Sequence, residues 1–439
     1  MRNNSKKVII LGAGPSGLSF AYNLLKISKN FVPIIIEKTD RIGGLASTYY
    51  FDEFGADFGG HKIAFDLKAQ KFLQEFFSCS DFMKNVFINQ NNFSVLMNEK
   101  IVQFSIKNIL EELGVKNTIS FVFSYLYSLL FKRDYEDLES FLCAKFGKYI
   151  YEIFLKYPVS NLLNSDIKEV SKDFPINFFE NISLKKNEFY FPKFGYNELW
   201  NKMAEYILKN GGKIFLNSEF CDFKYEKNII LSALYKNNEH IEEIIGDYFV
   251  SSIPMNEVIH AIDAPFNIKQ YGLNLKYIDL IQANFYLRKD KINQDFLENS
   301  TIYVTNKDSN IFKFSILSNF SPYLGADFRN MCVVSVLFNN KCSELLKFSD
   351  SKIVELATNE CAKYNLFYKS DIDKTSVIKI KNALPLYTNN YKNLNKINEA
   401  ISNYKNLFTI GSCGQFKILN ATQAIESGLN MAQTIMDKG

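Results

Sequence analysis

The sequence predicts an α/β protein in which a mostly parallel sheet is assembled from separated parts of the chain, with a mainly helical insert and a second, antiparallel sheet. Three observations predict it. Residues 7–12, 15–28 and 33–37 read as strand, helix and strand, a β-α-β unit of about thirty residues. The far end repeats the alternation: "NLFTIGSCG" is a strand and turn, and "ATQAIESGLNMAQTIM" a closing helix, so one domain draws on both chain ends. Between them, residues 276–345 hold four strand-like runs, "LIQANFYL", "STIYV", "IFKFSIL" and "MCVVSVLF", as in an antiparallel sheet.

The elements between these landmarks follow in order. From about 66 to 165 the pattern is mostly helical, as in "AQKFLQEFF" and "LESFLCAKFGKYIYEIFLKY". Near 194 "KFGYN" turns into the helix "ELWNKMAEYILKNG"; "KIFLNSEFCDFKYE" and "NIILSALY" then form a hairpin. "DYFVSSIP", 247–254, is a buried strand returning to the first sheet. A chain of 439 residues suits two or three structural units. The divisions expected are 1–65, 187–262 and 400–439 as one discontinuous domain, 66–186 as a mainly helical insert, and 263–399 as the antiparallel-sheet domain.

Composition narrows the partners. Net charge is +4, with 51 basic and 47 acidic residues interspersed, which is no electrostatic footprint for nucleic acid. The seven cysteines form no C-x-x-C pair and there are only three histidines, so neither a metal site nor a disulfide framework is expected. Reduced thiols fit a cytoplasmic protein. The N-terminal apolar run is too short for a secretory signal and ends in a glycine turn. "TISFVFSYLYSLLF", 118–131, flanked by Lys116 and Lys132–Arg133, falls short of the roughly 20 residues that span a bilayer. It is expected as a buried helix of the insert, with peripheral membrane contact as the alternative and no transmembrane segment.

Chemistry enters at "GAGPSG", 12–17. Gly12 permits the tight turn, Gly14 lets backbone approach a pyrophosphate, and Gly17 allows close helix–strand packing. The helix opening at Pro15 and Ser16 points its amides at the phosphates. Glu37 ends the second strand, 25 residues after Gly12, placed to accept ribose hydroxyls. Strand, turn, helix, strand and acid in this order predict a Rossmann-like dinucleotide site.

"EKTDRIGGLAST", 37–48, adds a second glycine pair. Here the chain resembles the FAD-binding glutathione-reductase-2 group, which includes amine oxidases, protoporphyrinogen oxidases, phytoene desaturases and UDP-galactopyranose mutases; Arg41, Gly43 and Gly44 match its "E…R-x-G-G". The resemblance implies FAD, with Lys38, Arg41 and Leu45 joining the glycines around it. "FGADFGGHKIAF", 54–65, is similar to the "D-x-G-G-H" of the mutases and their relatives; by that likeness Gly59 and Gly60 admit the flavin ring and His61 touches it. "EFYFPKFGYNELW…NSEF" resembles the segment whose strand meets the adenine, at Phe220. "FTIGSCGQFKILNATQAIESG" resembles the group's closing segment, with Gly411 at the pyrophosphate and Asn420, Thr422 and Gln423 at the flavin end of the last helix.

The likeness to the mutases implies more. "IFKFSILSNFSPY", 311–323, places Lys313 where those enzymes hold the substrate diphosphate with an arginine, and Lys156 stands near their other arginine. Tyr303 and Tyr323 would hydrogen-bond the phosphates, and His61 would orient the flavin. The implied function is ring interconversion, pyranose to furanose, of a nucleoside-diphosphate sugar for surface polysaccharide synthesis, with reduced flavin as nucleophile and NADH or NADPH as reductant. The chain departs from the group at Ser412, Leu384 and Ile418, where an arginine and two tyrosines are expected. The lost tyrosines at Leu384 and Ile418 favour an amine-oxidase-like or protoporphyrinogen-oxidase-like oxidoreductase as the second reading, as would membrane contact by 118–131. A third, a prenyl-protein binder like the GDP-dissociation inhibitors, conflicts with the complete set of glycines.

Overall fold

The strand Lys6–Leu11 lies at the centre of a five-stranded, wholly parallel sheet. The order runs Lys213–Phe215, Phe31–Ile36, Lys6–Leu11, Tyr248–Ser251 and Leu407–Thr409. This is a computed structural model, and it describes residues 5–52, 54–59, 62–64, 67–77, 82–90, 93–97, 99–103, 105–130, 135–163, 165–175, 188–338 and 344–438. Gly60, His61, Cys79 and Cys342 fall outside these residues; the five described cysteines are free thiols. The fold class matches the expectation, with the sheet drawn from the beginning, middle and end of the chain.

Covered on both faces, the parallel strands read as unbroken apolar runs. Val8 and Ile10 point to one side, among Leu18, Trp200 and Ile425. Ile9 and Leu11 point to the other, among Phe223, Phe249 and Met255. On the first side the helix Pro15–Ile27 packs against Asn197–Lys209 and the closing helix Ala421–Lys438. First and last helices are laced together: Ser16 and Ser19 donate their hydroxyls to the carbonyls of Ala424 (2.8 Å) and Ile425 (3.1 Å), and Asn23 its amide to Leu429 (3.2 Å). A Cβ on Gly428 would stand 2.3 Å from the Ser16 carbonyl, so the helices approach at contact distance there.

The segment expected as one strand at 213–226 splits. Lys213–Phe215 joins the parallel sheet, while Ser218–Glu226 begins a three-stranded meander with Ile229–Asn237 and His240–Ile245. The hairpin therefore has a third strand. The seven-stranded sheet runs Ile372–Leu386, Lys276–Arg288, Met331–Phe338, Ile311–Ile316, Thr301–Val304, Phe93–Met97 and Lys100–Gln103. Its last two strands come from the segment 66–186, so that segment is not a purely helical insert. Ile281, Ala283, Phe285 and Phe314 pack on the helix Asp350–Lys363 through Ile353, Ala357 and Cys361. The alternate residues Gln282, Asn284 and Lys313 face the other way.

One expectation fails outright. The helix Ile106–Leu130, kinked at Gly114 (φ +73°), leaves most of its apolar second half exposed rather than buried. Among the described residues, no helix is long and apolar enough to cross a membrane.

Candidate functional site

The first strand delivers the chain into its glycine turn with Gly12 at φ +98°, a conformation in which a side chain is strained. A Cβ on Gly17 would lie 2.1 Å from the Gly12 carbonyl, which is the close helix–strand packing its position predicted. Gly14 differs: a Cβ there would meet nothing within 4 Å. Its backbone borders open space at the start of Pro15–Ile27, a helix end that no side chain caps. Uncapped amides and the helix dipole make that space favourable for an anion.

Glu37 stands at the edge of this turn. Its carboxylate accepts the Ala13 N–H (2.8 Å), the Thr39 N–H (2.9 Å) and the Thr39 hydroxyl (2.8 Å). The second glycine pair touches the first. Gly43 (φ +97°) donates its N–H to the Ala13 carbonyl at 2.8 Å, and a Cβ on Gly44 would stand 3.2 Å from the Gly14 Cα. Arg41 stacks over Tyr49 (4.4 Å) and pairs with Asp40 (2.8 Å); Lys38 is exposed, and Leu45 half-buried against the core. From the far end, Gly411 comes so near the first helix that a Cβ would lie 2.6 Å from the Ser16 hydroxyl. Ser16 thus spends its side chain on helix packing, leaving only main chain for a ligand.

At the closing helix, the Asn420 N–H donates to the Gln423 side chain (3.0 Å) and the Gln423 N–H to that of Asn420 (2.8 Å). Both side chains are spent on a cap around the turn that holds Thr422. Phe220 enters the meander, its ring 4.6 Å from Phe223, beside the stretch where Ser218 donates to the Glu37 carbonyl (2.8 Å). Open space over Gly14, an uncapped helix end and an acid at the strand end form a cradle that fits the pyrophosphate and ribose of FAD.

A second construction meets this cradle. Strand register places Gln282, Leu337, Lys313 and Tyr303 in one row of the seven-stranded sheet. From that row two side chains seize one peptide unit each side of Gly59: its N–H donates to Gln282 Oε1 (2.8 Å), and Lys313 Nζ donates to its carbonyl (2.6 Å). Gln282 Nε2 also reaches the Asp57 carbonyl (2.9 Å) and Asn284 Oδ1 (2.7 Å). The loop expected to line the flavin ring is therefore fixed by the antiparallel sheet, which predisposes it to hold its shape with or without a ligand.

Two lysines share this place. Burial pushes the Lys313 ammonium down to about 8. Burial, and then the neighbouring Lys313 charge, push Lys62 down to about 7. Lys62 is only half-buried to solvent, with its ammonium 4.9 Å over the Phe189 ring, as a group lining a deep cleft would be. Near neutral pH the region carries positive charge that an anion would stabilise.

Asp57 lies beneath the loop, fully buried, one carboxyl oxygen bonded by the Thr48 hydroxyl and the other without a hydrogen-bond partner among the described residues. Burial outweighs the lowering effect of its polar neighbours and pushes it up from 3.8 to about 7. A raised acid favours the folded state most below its unfolded value, and that advantage is lost as pH rises from about 4 to 7. Asp57→Asn is expected to flatten the decline of stability over that window by up to ~1.4 kcal/mol per pH unit. Urea titrations of both proteins at pH 4.5, 5.5 and 6.5 check this; parallel declines would contradict the buried-acid reading.

The structure brings Tyr303 and Lys313 together as cross-strand partners. Burial pushes the Tyr303 hydroxyl up to about 12. Lys156 opens the helix Lys156–Leu163, which packs on both their strands, but it is half-buried and makes no ion pair with the described residues. Tyr323 lies elsewhere, stacked on Phe87 (6.0 Å) with Lys193 Nζ 4.1 Å from its ring centre. Gly60 and His61, expected at the flavin, lie outside the described residues. At the positions lacking the family's tyrosines, the Tyr387 hydroxyl accepts the Ile418 N–H (3.1 Å). Its ring stacks on Tyr391 at 4.1 Å and 7°, a closed pair with no slot for a cation between them.

Sequence reasoning missed Lys62, Gln282 and Asn284. A signal existed for the last two: in "LIQANFYL" they are polar residues two apart, on one face of an otherwise apolar strand.

Comparison with known proteins adds to this geometry. A model of the family described as flavin containing amine oxidoreductase matches residues 15–436. An L-amino acid oxidase of Cerastes cerastes is 38% identical over 98 residues, so the match spans only 19% of that enzyme and 19% of this chain. A 4,4'-diapophytoene desaturase (4,4'-diapolycopene-forming) of Methylomonas sp is 25% identical over 345 residues, 70% of this chain and 66% of that one. The solved structure of reduced UDP-galactopyranose mutase superposes with a TM-score of 0.82 over 99% of this chain and 94% of the other. At 15% identity that likeness is one of fold.

Proposed function

The chain belongs to the flavin-containing amine oxidoreductase family, and from that premise we propose that it binds FAD and acts on an anionic substrate, best read as a nucleoside-diphosphate sugar in a mutase-like interconversion. The observation that carries the reading is the pair Lys62 and Lys313 beside Gly59, two ammonium groups in a buried setting. An ammonium substrate would be repelled there, whereas a diphosphate would repair the desolvation of both. When bound, FAD supplies electron transfer or, once reduced, a nucleophilic centre. The chain's own residues hold the substrate's charge, fix the Gly59 loop, and offer the Tyr303 hydroxyl as a neutral donor at physiological pH.

One observation favours a second reading, an oxidoreductase acting on a non-cationic substrate. Lys313 already donates to the Gly59 carbonyl, a bond that orders the loop without any substrate. The desaturase similarity points the same way.

A single experiment separates them. The FAD-loaded protein is titrated with nucleotide sugars and with amines, both oxidised and after anaerobic dithionite reduction. Turnover of a nucleotide sugar only while the flavin stays reduced is the expected result. Bleaching of the oxidised flavin by a substrate, with oxygen restoring the colour, would replace the mutase reading with the oxidoreductase one.

A further inference from the structure

The second half of the helix Ile106–Leu130 is built inside out. Thr118, Phe121, Ser124 and Ser128, spaced three and four apart, form its half-buried stripe. Three of those four are hydroxyl residues. Ser124 accepts the Tyr149 N–H (3.0 Å), and a Cβ on Gly147 would stand 2.8 Å from the Ser124 carbonyl, so this stripe is the packed one. The outward arc carries Ile119, Val122, Phe123, Leu126, Leu129 and Leu130 instead. Phe123 is 71% exposed and Leu130 77%. A helix on a protein surface in water ordinarily has the reverse arrangement, and a continuous apolar face of this size marks an interaction site.

Charge decides what covers it. From residue 113 to residue 133 the sequence holds three basic residues, Lys116, Lys132 and Arg133, and no acidic one. Lys116 is exposed at the start of the apolar stretch. Within the apolar stretch a second copy would offer Lys116 no carboxylate, the nearest acids, Glu112 and Asp134, lying outside it. An anionic lipid surface complements both features, receiving the apolar arc and pairing with the exposed Lys116. Tyr125 and Tyr127, both exposed, are of the type that settles at the headgroup level.

We infer that this helix docks the protein peripherally on an anionic membrane surface, lying in the interface without crossing it. The inference does not depend on the chemistry proposed above, since it rests on the exposed arc of this helix and not on the FAD cradle or the Gly59 loop.

The test is flotation of the FAD-loaded full chain with vesicles of phosphatidylcholine alone and with 30 mole per cent phosphatidylglycerol on the order of physiological salt. The wild type is expected to float with the anionic vesicles at least tenfold more than with the neutral ones. Phe123→Ser/Leu126→Ser/Leu130→Ser should lose that binding while keeping the wild-type flavin absorbance, which shows that the fold is retained. Lys116→Glu should weaken it and make what binding remains less dependent on salt. Absence of binding by the wild type to either vesicle would overturn the inference. So would a wild-type dimer in light scattering that the triple variant converts to monomer without any vesicle binding, since the face would then belong to a second copy.

Discussion

Gly14→Val is expected to yield a folded protein that purifies without yellow colour, with FAD affinity reduced at least a hundredfold. The argument separates folding from binding. Gly14 has φ −74° and ψ 179°, extended backbone that valine adopts readily, and its added side chain would enter open space. The apoprotein should therefore lose no more than about 1 kcal/mol, chiefly because valine is a poorer residue than glycine at a helix start. The same side chain would occupy the path of the pyrophosphate. Comparison must be between apoproteins, because the wild type also gains stability from bound cofactor by mass action. Gly17→Val serves as the contrast: its Cβ would lie 2.1 Å from the Gly12 carbonyl, so folding itself should fail. Absorbance at the flavin maximum and circular dichroism of each variant check both statements. A Gly14→Val protein with full FAD occupancy would refute the assignment of this turn.

The cofactor cradle was legible because its requirements are local. Close backbone approach needs glycine, and the need is written at fixed spacings: Gly12, Gly14 and Gly17 in one turn, Gly43 and Gly44 in the next. That the two turns touch through the Gly43 N–H and Ala13 carbonyl is a tertiary fact, but each carries its own signature. The same holds for the parallel sheet, whose doubly buried strands announce themselves as apolar runs. The third strand of the meander escaped notice because His240–Ile245 is almost wholly exposed and carries two adjacent glutamates, Glu242 and Glu243. Hydrophobic pattern reports burial; a strand held by pairing alone leaves little of it.

The substrate side was less legible for a related reason. Lys313 was found through likeness to a motif, yet its partner Lys62 lies 251 positions away and nothing in either neighbourhood names the other. Register, set by the packing of the whole sheet, puts Gln282, Lys313 and Tyr303 in one row. The run 118–131 failed differently. Apolar composition led to an expectation of burial, but the spacing of Thr118, Ser124 and Ser128 already described a narrow hydroxyl stripe. The fold turns that stripe, half-buried, toward its neighbours and leaves the wide apolar arc outside. Composition states how much surface avoids water, not which neighbour removes it.

The pair of lysines leads to the sharpest functional expectation. Burial pushes the Lys313 ammonium down to about 8 and, with the neighbouring Lys313 charge, that of Lys62 down to about 7. A lysine is charged below its pKa, so both groups are cationic at pH 6 and both are largely neutral at pH 9. For an anionic substrate kcat/KM should be level at low pH and fall as pH rises through 7 to 8. The fall should approach about tenfold per unit for each proton that binding requires. Lys62→Met/Lys313→Met is expected to lower kcat/KM at least a hundredfold at pH 6, with KM carrying most of the loss. At pH 9 the gap to the wild type should shrink to a few-fold, because the wild type has by then lost the same charges. That convergence distinguishes charge from architecture. Removing the Lys313 bond to the Gly59 carbonyl harms the loop at every pH, and loss of a loop anchor alone would give parallel profiles. Parallel profiles would thus assign Lys313 to holding the loop and leave recognition of the anion to other residues. Profiles that meet at high pH would place the substrate's negative charge between the two ammonium groups.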